Sequence, residues 1–368
     1  MNQSGAARPD AELIRSLEAA SYHPLWDRYK RITPVAPRER DRPMHWRWRD
    51  FEPLAGRAAR EVPIEDVERR AIICVNPAFG GETVTTSNLI AAFTVLEPGD
   101  HAVPHRHTAS AIRFSTRAEG AVTIVNGRRC EMKPGDLVLT PPMCWHGHIN
   151  ESDHRTYWFD AANMPLICGL EASFFEPGNR DNPEFWKVDE GQPSERGSAA
   201  HDAPLSRESG RGGGGEGAKR LYPAAGLAPA TEPQHLSHSP KYRYPGAETR
   251  SLLAALPPRP DGSKLLRYVN PLSGGPVMAT LDCYAGRLPK GAATQPMRAT
   301  WNAVVLVASG EGRSTVGDET LEWSQHDVFT VPHWTWASHQ AASATADLFL
   351  VTDRSVYEAL DLARVETQ

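Results

Sequence analysis

Side chains able to bind a metal or move a proton crowd into two short stretches. "VPHRHTASAIRF" (Val103 to Phe114) carries His105, His107 and Arg113, and "PPMCWHGHIN" (Pro141 to Asn150) carries His146 and His148. In an extended strand, residues two apart share a face. His105 and His107 therefore point the same way, and Arg113 joins them if the strand continues unbroken. Two imidazoles at i and i+2 hold one metal ion when another strand supplies a third ligand. His146, after a proline-bounded turn, is the candidate, with His148 as its same-face neighbour. Three neutral imidazoles leave open positions on the ion, the condition for a catalytic site. No carboxylate lies between His105 and Phe114, so the ion would keep its full charge beside a guanidinium. Such a pocket suits a dianionic, chelating ligand.

The elements that must position these residues are short. Segments such as "AVTIV", "DLVLTP", "AVVLVASG" and "DVFTVP" are strand-length and bounded by turn residues, among them Asn126-Gly127 and Pro134-Gly135-Asp136. Helical periodicity stands out near "AELIRSLEAA" and in "SVYEALDLARVE". This predicts an all-β core with short helical N- and C-terminal segments. "HWRWRD" reads as a strand packed on that core, with a basic face outward. The stretch "SERGSAAHDAPLSRESGRGGGGEGAKR" cannot bury enough apolar surface to order itself and reads as a linker or mobile loop. No Gly-Lys-Ser/Thr follows a strand there, which argues against a phosphate loop and for a linker.

On either side of that linker the chain repeats itself. "VNPAFGG" returns as "VNPLSGG", "EGAVTIVNG" as "EGRSTVGDE", and "LTPPMCWHGH" as "TVPHWTWASH". Met297 stands where His105 does, Ala299 where His107 does, and Ala337 where His146 does. The architecture is duplicated and the chemistry is not.

With 368 residues, 40% hydrophobic and 23% charged, the chain has the composition of a globular protein of two domains, or of one fold built twice. A net charge of −5 gives no pull towards nucleic acid or acidic lipid. No apolar run reaches membrane-spanning length, and the N-terminal residues form no signal sequence. Five dispersed cysteines without a CxxC pair read as free thiols in a reducing compartment, placing the protein in the cytoplasm.

Gly99, His105, His107, Gly120, Gly135, Asp136, Pro141, His146 and Asn150 together resemble the two motifs of the cupin superfamily, although Met143 stands where a glycine is usual. The resemblance implies a bicupin, two jelly-roll β-barrels. The organisation expected is an N-terminal extension over 1–68, a metal-binding barrel over 69–180, a linker over 181–245, a metal-free barrel over 246–355 and a C-terminal helix or tail over 356–368. Most metal-binding cupins carry a glutamate four or five residues after the paired histidines. Here Ala111 and Ile112 take those places and Arg113 follows. That loss, the WHGH segment, "HPLWDRYKRITPVAP", "RRAIICVNPAFGG" and the decayed second copy resemble the gentisate 1,2-dioxygenase family, which includes salicylate and 1-hydroxy-2-naphthoate dioxygenases.

The resemblance implies an Fe(II) enzyme, usually a homotetramer, that uses O2 to cleave the ring of a small aromatic hydroxy acid between the carboxyl-bearing and hydroxyl-bearing carbons. By position, His105, His107 and His146 would hold the iron. Arg113 and Arg69 would bind the substrate carboxylate, His148 would act as acid or base, and Asp160 would support them. Gentisate and 5-substituted salicylates, such as the 5-nitro and 5-halo acids, remain open as substrates, since Ile90 stands where salicylate-type enzymes carry a pocket tryptophan. A zinc or manganese cupin isomerase or hydrolase, and a non-catalytic cupin that binds a small acid, are the competing readings.

Overall fold

The computed structural model describes residues 10–38, 40–188 and 238–368. The glycine-rich run at 212–215 and most of the expected linker lie outside the described residues. Residues up to Arg40 form a compact unit of their own, and Asp41–Gln368 form a second. In the first unit, helices Ala11–Ala19 and Leu25–Ile32 are tied by the Trp26 indole N–H on Asp10 and by Arg28 on Glu18. The second unit holds both barrels.

In the first barrel, a six-stranded sheet runs in the order Arg243–Tyr244, Leu137–Thr140, Ala111–Arg117, Thr156–Ala162, Ile90–Leu96, Ala71–Ile73. A five-stranded sheet runs Phe175–Pro177, His101–His107, His146–Asn150, Ala121–Val125, Arg128–Glu131. The second barrel repeats the plan. Its larger sheet is His45–Trp46, Val328–Val331, Ala303–Ser309, Thr345–Thr352, Asp282–Pro289, Lys264–Arg267. Its smaller sheet is Glu319–Trp323, Gly312–Val316, Ala337–Ala341, Met297–Ala299, Val365–Thr367. Every neighbouring pair is antiparallel.

The two larger sheets pack face to face. Ile112, Phe114, Leu137, Leu139 and Phe159 from one meet Val304, Leu306, Val328, Phe349 and Val351 from the other in a single buried cluster. Phe114 and Phe349 stack with ring centroids 4.2 Å apart. Strands of these sheets are therefore apolar towards the other barrel on one face and buried inside their own barrel on the other. That is why Ala111–Arg117 is buried at every position but the last.

Each barrel takes an edge strand from the chain that precedes the other barrel's core. The carboxylate of the Pro-Gly-Asp turn makes the join. Asp136 accepts from Arg243 Nε at 2.8 Å and from the backbone N–H of Gly246, the first residue of helix Gly246–Ala255. Its counterpart Asp327 meets His45 Nε2 at 3.0 Å and accepts the backbone N–H of Trp48, the first residue of helix Trp48–Glu61. The "HWRWRD" segment is thus a strand for two residues only. From Trp48 it is a helix, because a distant carboxylate satisfies its first N–H and Trp48, Ala55 and Ala59 form a buried stripe on one face. The C-terminal segment also departs from expectation. Helix Arg354–Ala359 is short, Asp361 turns the chain at φ 57°, and Val365–Thr367 returns as an edge strand against Met297–Ala299.

The strand registers refine the repeat. His148 faces Thr123 and His339 faces Ser314. The "EGAVTIVNG" and "EGRSTVGDE" blocks are therefore equivalent with an offset of one residue, Thr123 matching Ser314 and not Thr315. Met143 and its counterpart Trp334 both sit in the left-handed region, at φ 58° and 57°. This conformation explains why a glycine is usual at the position. Replacing Phe349 by Ala is expected to cost about 3–5 kcal/mol by opening a cavity between the barrels, read as a lower urea midpoint for the whole chain. An unchanged midpoint would show that the barrels do not rely on this packing.

Candidate active site

Strand His101–His107 brings His105 and His107 to one face, and His105 pairs across the sheet with His146 at the start of strand His146–Asn150. The three ligand atoms lie within 4.8 Å of one another, and all three residues are buried. Each ring is held from behind. His105 Nδ1 meets Val103 O at 3.0 Å, His107 Nδ1 meets Ala109 O at 2.8 Å, and His146 Nδ1 meets Cys144 O at 2.9 Å. A backbone carbonyl only accepts, so Nδ1 carries the proton and Nε2 keeps its lone pair. The Nε2 atoms of His105 and His146 are buried without a hydrogen-bond partner, an arrangement that a divalent cation would satisfy.

Burial keeps these rings neutral. It is the largest cause of the drop at His105, to about 2, with Arg69 adding to it. Burial, then Arg113, takes His107 to about 4. Burial followed by His105 holds His146 well below the usual histidine range, and burial followed by Arg113 does the same for His148. Gly147, between the last two, has no room for a side chain, since a Cβ there would lie 2.8 Å from the Trp186 ring.

A cavity of about 330 Å³ opens beside the triad and is lined by Arg69, Arg113, His107, His148 and Asp160, with Ile73, Ile90, Met164 and Phe175 among its apolar walls. Arg113 and Asp160 face each other on adjacent strands, with Nε 3.3 Å from Oδ1. The Arg113 Nη1 is hydrogen-bonded to Thr140 Oγ1, while its Nε has no aligned acceptor. Asp160 accepts from Thr94 Oγ1 at 2.5 Å and from Trp158 Nε1 at 3.0 Å. Burial pushes the Asp160 carboxyl up, against Arg113 and Thr94, and it pushes Arg113 down to about 10.

All seven residues singled out from the sequence meet here. Of the neighbours Arg69 and Arg70, Arg69 lines the cavity. Arg70 is turned away and engaged by Ala59 O and Asp100. The sequence reading missed Thr94, which lines the cavity and bonds Asp160, Thr140 behind Arg113, Thr123 behind His148, and Phe175, which stacks on His105 with centroids 5.5 Å apart. Nothing in the local spacing marks them. In the second barrel, the registers put Val305 and Leu350 where Arg113 and Asp160 stand.

Residues 92–161 match the Cupin domain family. The chain is 34% identical to a 5-aminosalicylate 1,2-dioxygenase of Comamonas sp, over 99% of this chain and 92% of that protein. It is also 34% identical to a gentisate 1,2-dioxygenase of Streptomyces sp, over 96% and 94%. The chain belongs to the gentisate and salicylate 1,2-dioxygenase family. A crystal structure of the family's salicylate 1,2-dioxygenase from Pseudoaminobacter salicylatoxidans, an adduct with gentisate, superposes with a TM-score of 0.80 at 30% identity, covering 99% of this chain and 96% of that one. As a member of the family, the chain is an aromatic ring-cleaving dioxygenase with a bicupin fold and a metal cofactor.

His105→Ala is expected to weaken metal binding at least about a hundredfold, measured as metal retained per chain after dialysis. Full retention would move the site elsewhere. Stability should also fall with acidity. The unfolded chain protonates its histidines near the ordinary value of 6.5, whereas the folded chain keeps His107 neutral to about 4 and His105 to about 2. Stability is thus present above 6.5 and declines as pH drops below it, by at most about 1.4 kcal/mol per pH unit for each such group. A urea midpoint for the metal-free protein that is the same at pH 7.5 and pH 5 would contradict this.

Proposed function

We propose that the chain is an Fe(II)-dependent 1,2-dioxygenase that inserts both atoms of O2 across the bond between the carboxyl-bearing and hydroxyl-bearing ring carbons of gentisate or a 5-substituted salicylate. The observation that carries this reading is the convergence of three neutral imidazoles on a cavity holding two guanidiniums and one carboxylate. The fixed charge there is +2 − 1 = +1, and a divalent ion brings it to +3. A hydroxy acid that loses both its protons supplies −2 and can chelate the ion through two oxygens.

In this reading His105, His107 and His146 hold the iron, which suits imidazole donors. When bound, it supplies the centre at which the hydroxy acid is chelated and O2 is activated. Arg113 and Arg69 bind and orient the carboxylate, and a planar guanidinium does this with paired N–H donors that lysine lacks. Asp160, across from Arg113, limits the repulsion between the two arginines and fixes the angle of the Arg113 fork. His148 takes the phenol proton, a role open to it because it is neutral and lines the same cavity. Ile73, Ile90, Met164 and Phe175 form the apolar part of the cavity, which accommodates the ring and excludes water.

The names of the relatives support 5-substituted rings as substrates, since 5-aminosalicylate, gentisate and 5-nitrosalicylate dioxygenases are among them. We further propose a cytoplasmic homotetramer. Five free cysteines support the compartment, and the exposed side chains of Leu170, Phe174, Leu360 and Leu362 support an assembly that covers them.

The test is O2 uptake after anaerobic loading with Fe(II), using gentisate, salicylate, 5-aminosalicylate, 5-nitrosalicylate and 1-hydroxy-2-naphthoate. Turnover with loss of the aromatic absorbance is expected for the 5-substituted acids. Arg113→Lys is expected to lower kcat/KM about a hundredfold, equivalent to losing about 2–3 kcal/mol of charge-assisted hydrogen bonding. No uptake on the whole panel with iron verified in place would sink the substrate reading, and an unimpaired Arg113→Lys enzyme would sink the role of Arg113.

A further inference from the structure

Behind His148 lies a hydrogen-bond chain that the two barrels share in outline but end on different groups. In the first barrel, Thr123 Oγ1 is 2.9 Å from His148 Nδ1 and 3.8 Å from Met132 Sδ. In the second, Ser314 Oγ is 2.7 Å from His339 Nδ1 and accepts the Trp323 indole N–H at 2.8 Å. The residues correspond one to one. Thr123 and Ser314 face the two histidines in register. Met132 is bonded to Ala121 and Trp323 pairs with Gly312, which are themselves equivalent. Thr123, Met132 and His148 are buried, at 0%, 1% and 2% exposure.

A hydroxyl has one proton to give, an indole N–H only donates and a thioether only accepts. In the second barrel the indole fills a lone pair of Ser314, whose own proton goes to His339 Nδ1. The His339 proton then sits on Nε2. In the first barrel the donor has been replaced by an acceptor. A Thr123 proton directed at sulfur leaves the oxygen to accept from a His148 Nδ1–H, an arrangement in which Nε2 is bare. Charge in the cavity favours the same choice. Sulfur is a weak acceptor, but an Nε2–H facing a cavity with Arg69 and Arg113 would set a positive hydrogen among guanidiniums, whereas a lone pair there is stabilised.

We propose that Met132 and Thr123 are positioning residues that lock His148 as the Nδ1–H tautomer, so that its Nε2 lone pair is presented to the substrate. This rests on the reading of His148 as the proton acceptor. The phenol O–H bond breaks, its proton joins Nε2, and the electron pair stays on the phenolate oxygen. The imidazolium that forms keeps its Nδ1–H on Thr123, so no second proton has to move. Met132 and Thr123 touch neither substrate nor metal in this scheme and act through the ring they hold.

Neutron diffraction from deuterium-exchanged crystals of the full chain tests the tautomer directly. A deuteron on Nδ1 of His148 and on Nε2 of His339 is expected, and a neutral His148 with its deuteron on Nε2 overturns the proposal. The functional arm uses the iron-loaded enzyme. Met132→Leu keeps the volume and removes the acceptor, freeing the Thr123 proton to turn to Nδ1. It should lower kcat at least about tenfold with KM within about twofold, a part of the 10²–10⁴ that general-base catalysis supplies. Thr123→Val should lose as much, and Thr123→Ser should retain kcat, which separates the hydroxyl's role from packing. Unchanged kcat in both Met132→Leu and Thr123→Val overturns the positioning role. Full turnover in His148→Ala overturns the base reading instead, while the deuteron position still reports on the tautomer.

Discussion

The site depends on one strand, Ala111–Arg117, being buried on both faces. Ile112 and Phe114 are fixed in the apolar layer between the barrels, and Phe114 is stacked on Phe349. The intervening Arg113 is thereby committed to the inside of the first barrel. A strand alternates with period two, so a slip of one residue would drive a guanidinium into that apolar layer and a phenyl ring into the cavity. Either would cost several kcal/mol, since a charge taken out of water needs a partner. The partner is set by the same register, because Asp160 is the cross-strand neighbour of Arg113 on one side, and Thr140 comes from the strand on the other. Apolar packing between barrels thus decides where the charged groups of the site stand.

The duplication separates the frame from the chemistry it carries. Both barrels keep the buried aspartate that joins an edge strand to a helix start, the left-handed residue after the turn proline, and the hydroxyl behind a histidine. Inside the second barrel, Arg113, Asp160, His105 and His146 give way to Val305, Leu350, Met297 and Ala337, and the space is filled with apolar side chains. The buried Asp282 of that barrel is balanced within the chain by Arg267, so no ligand is needed to offset its charge. The fold is common to both halves, and function lies in the residues mounted on it.

What could be read from the sequence was what is local. His105 and His107 follow from a spacing of two, and His146 and His148 from a turn of recognisable composition. Arg113 does not follow from continuing the histidine strand, which ends at His107; it stands on the separate strand Ala111–Arg117 of the other sheet and reaches the cavity from there. The pairing of Arg113 with Asp160 was not legible, since it depends on a register between strands far apart in the chain. Nor was the choice between Arg69 and Arg70, which was settled when Ala59 O and Asp100 took up Arg70. The helix from Trp48 was read as a strand because its alternating aromatic and basic residues fit a period of two over a few positions. The carboxylate that starts the helix, Asp327, is 279 residues away. The offset of one residue in the repeat has the same origin, since two similar strings align equally well until cross-strand partners are known.

The ionisation of the cavity follows from burial more than from any one pair. Arg69, Arg113 and Asp160 are all shifted towards their neutral forms, with burial the largest cause in each. Two guanidiniums against one carboxylate leave a surplus of positive charge, and neutral histidines do nothing to offset it. A divalent ion alone would enlarge that surplus, and a dianionic acid alone would lack the centre that its two oxygens chelate. In the proposed reading each therefore improves the site for the other, and by linkage the gain must be equal in both directions. An acid bound to the two arginines raises the affinity for the ion as much as the ion raises the affinity for the acid. In that reading, the loss of the glutamate usual in metal-binding cupins, with Arg113 close by, shifts part of the metal's charge compensation from the protein to the substrate.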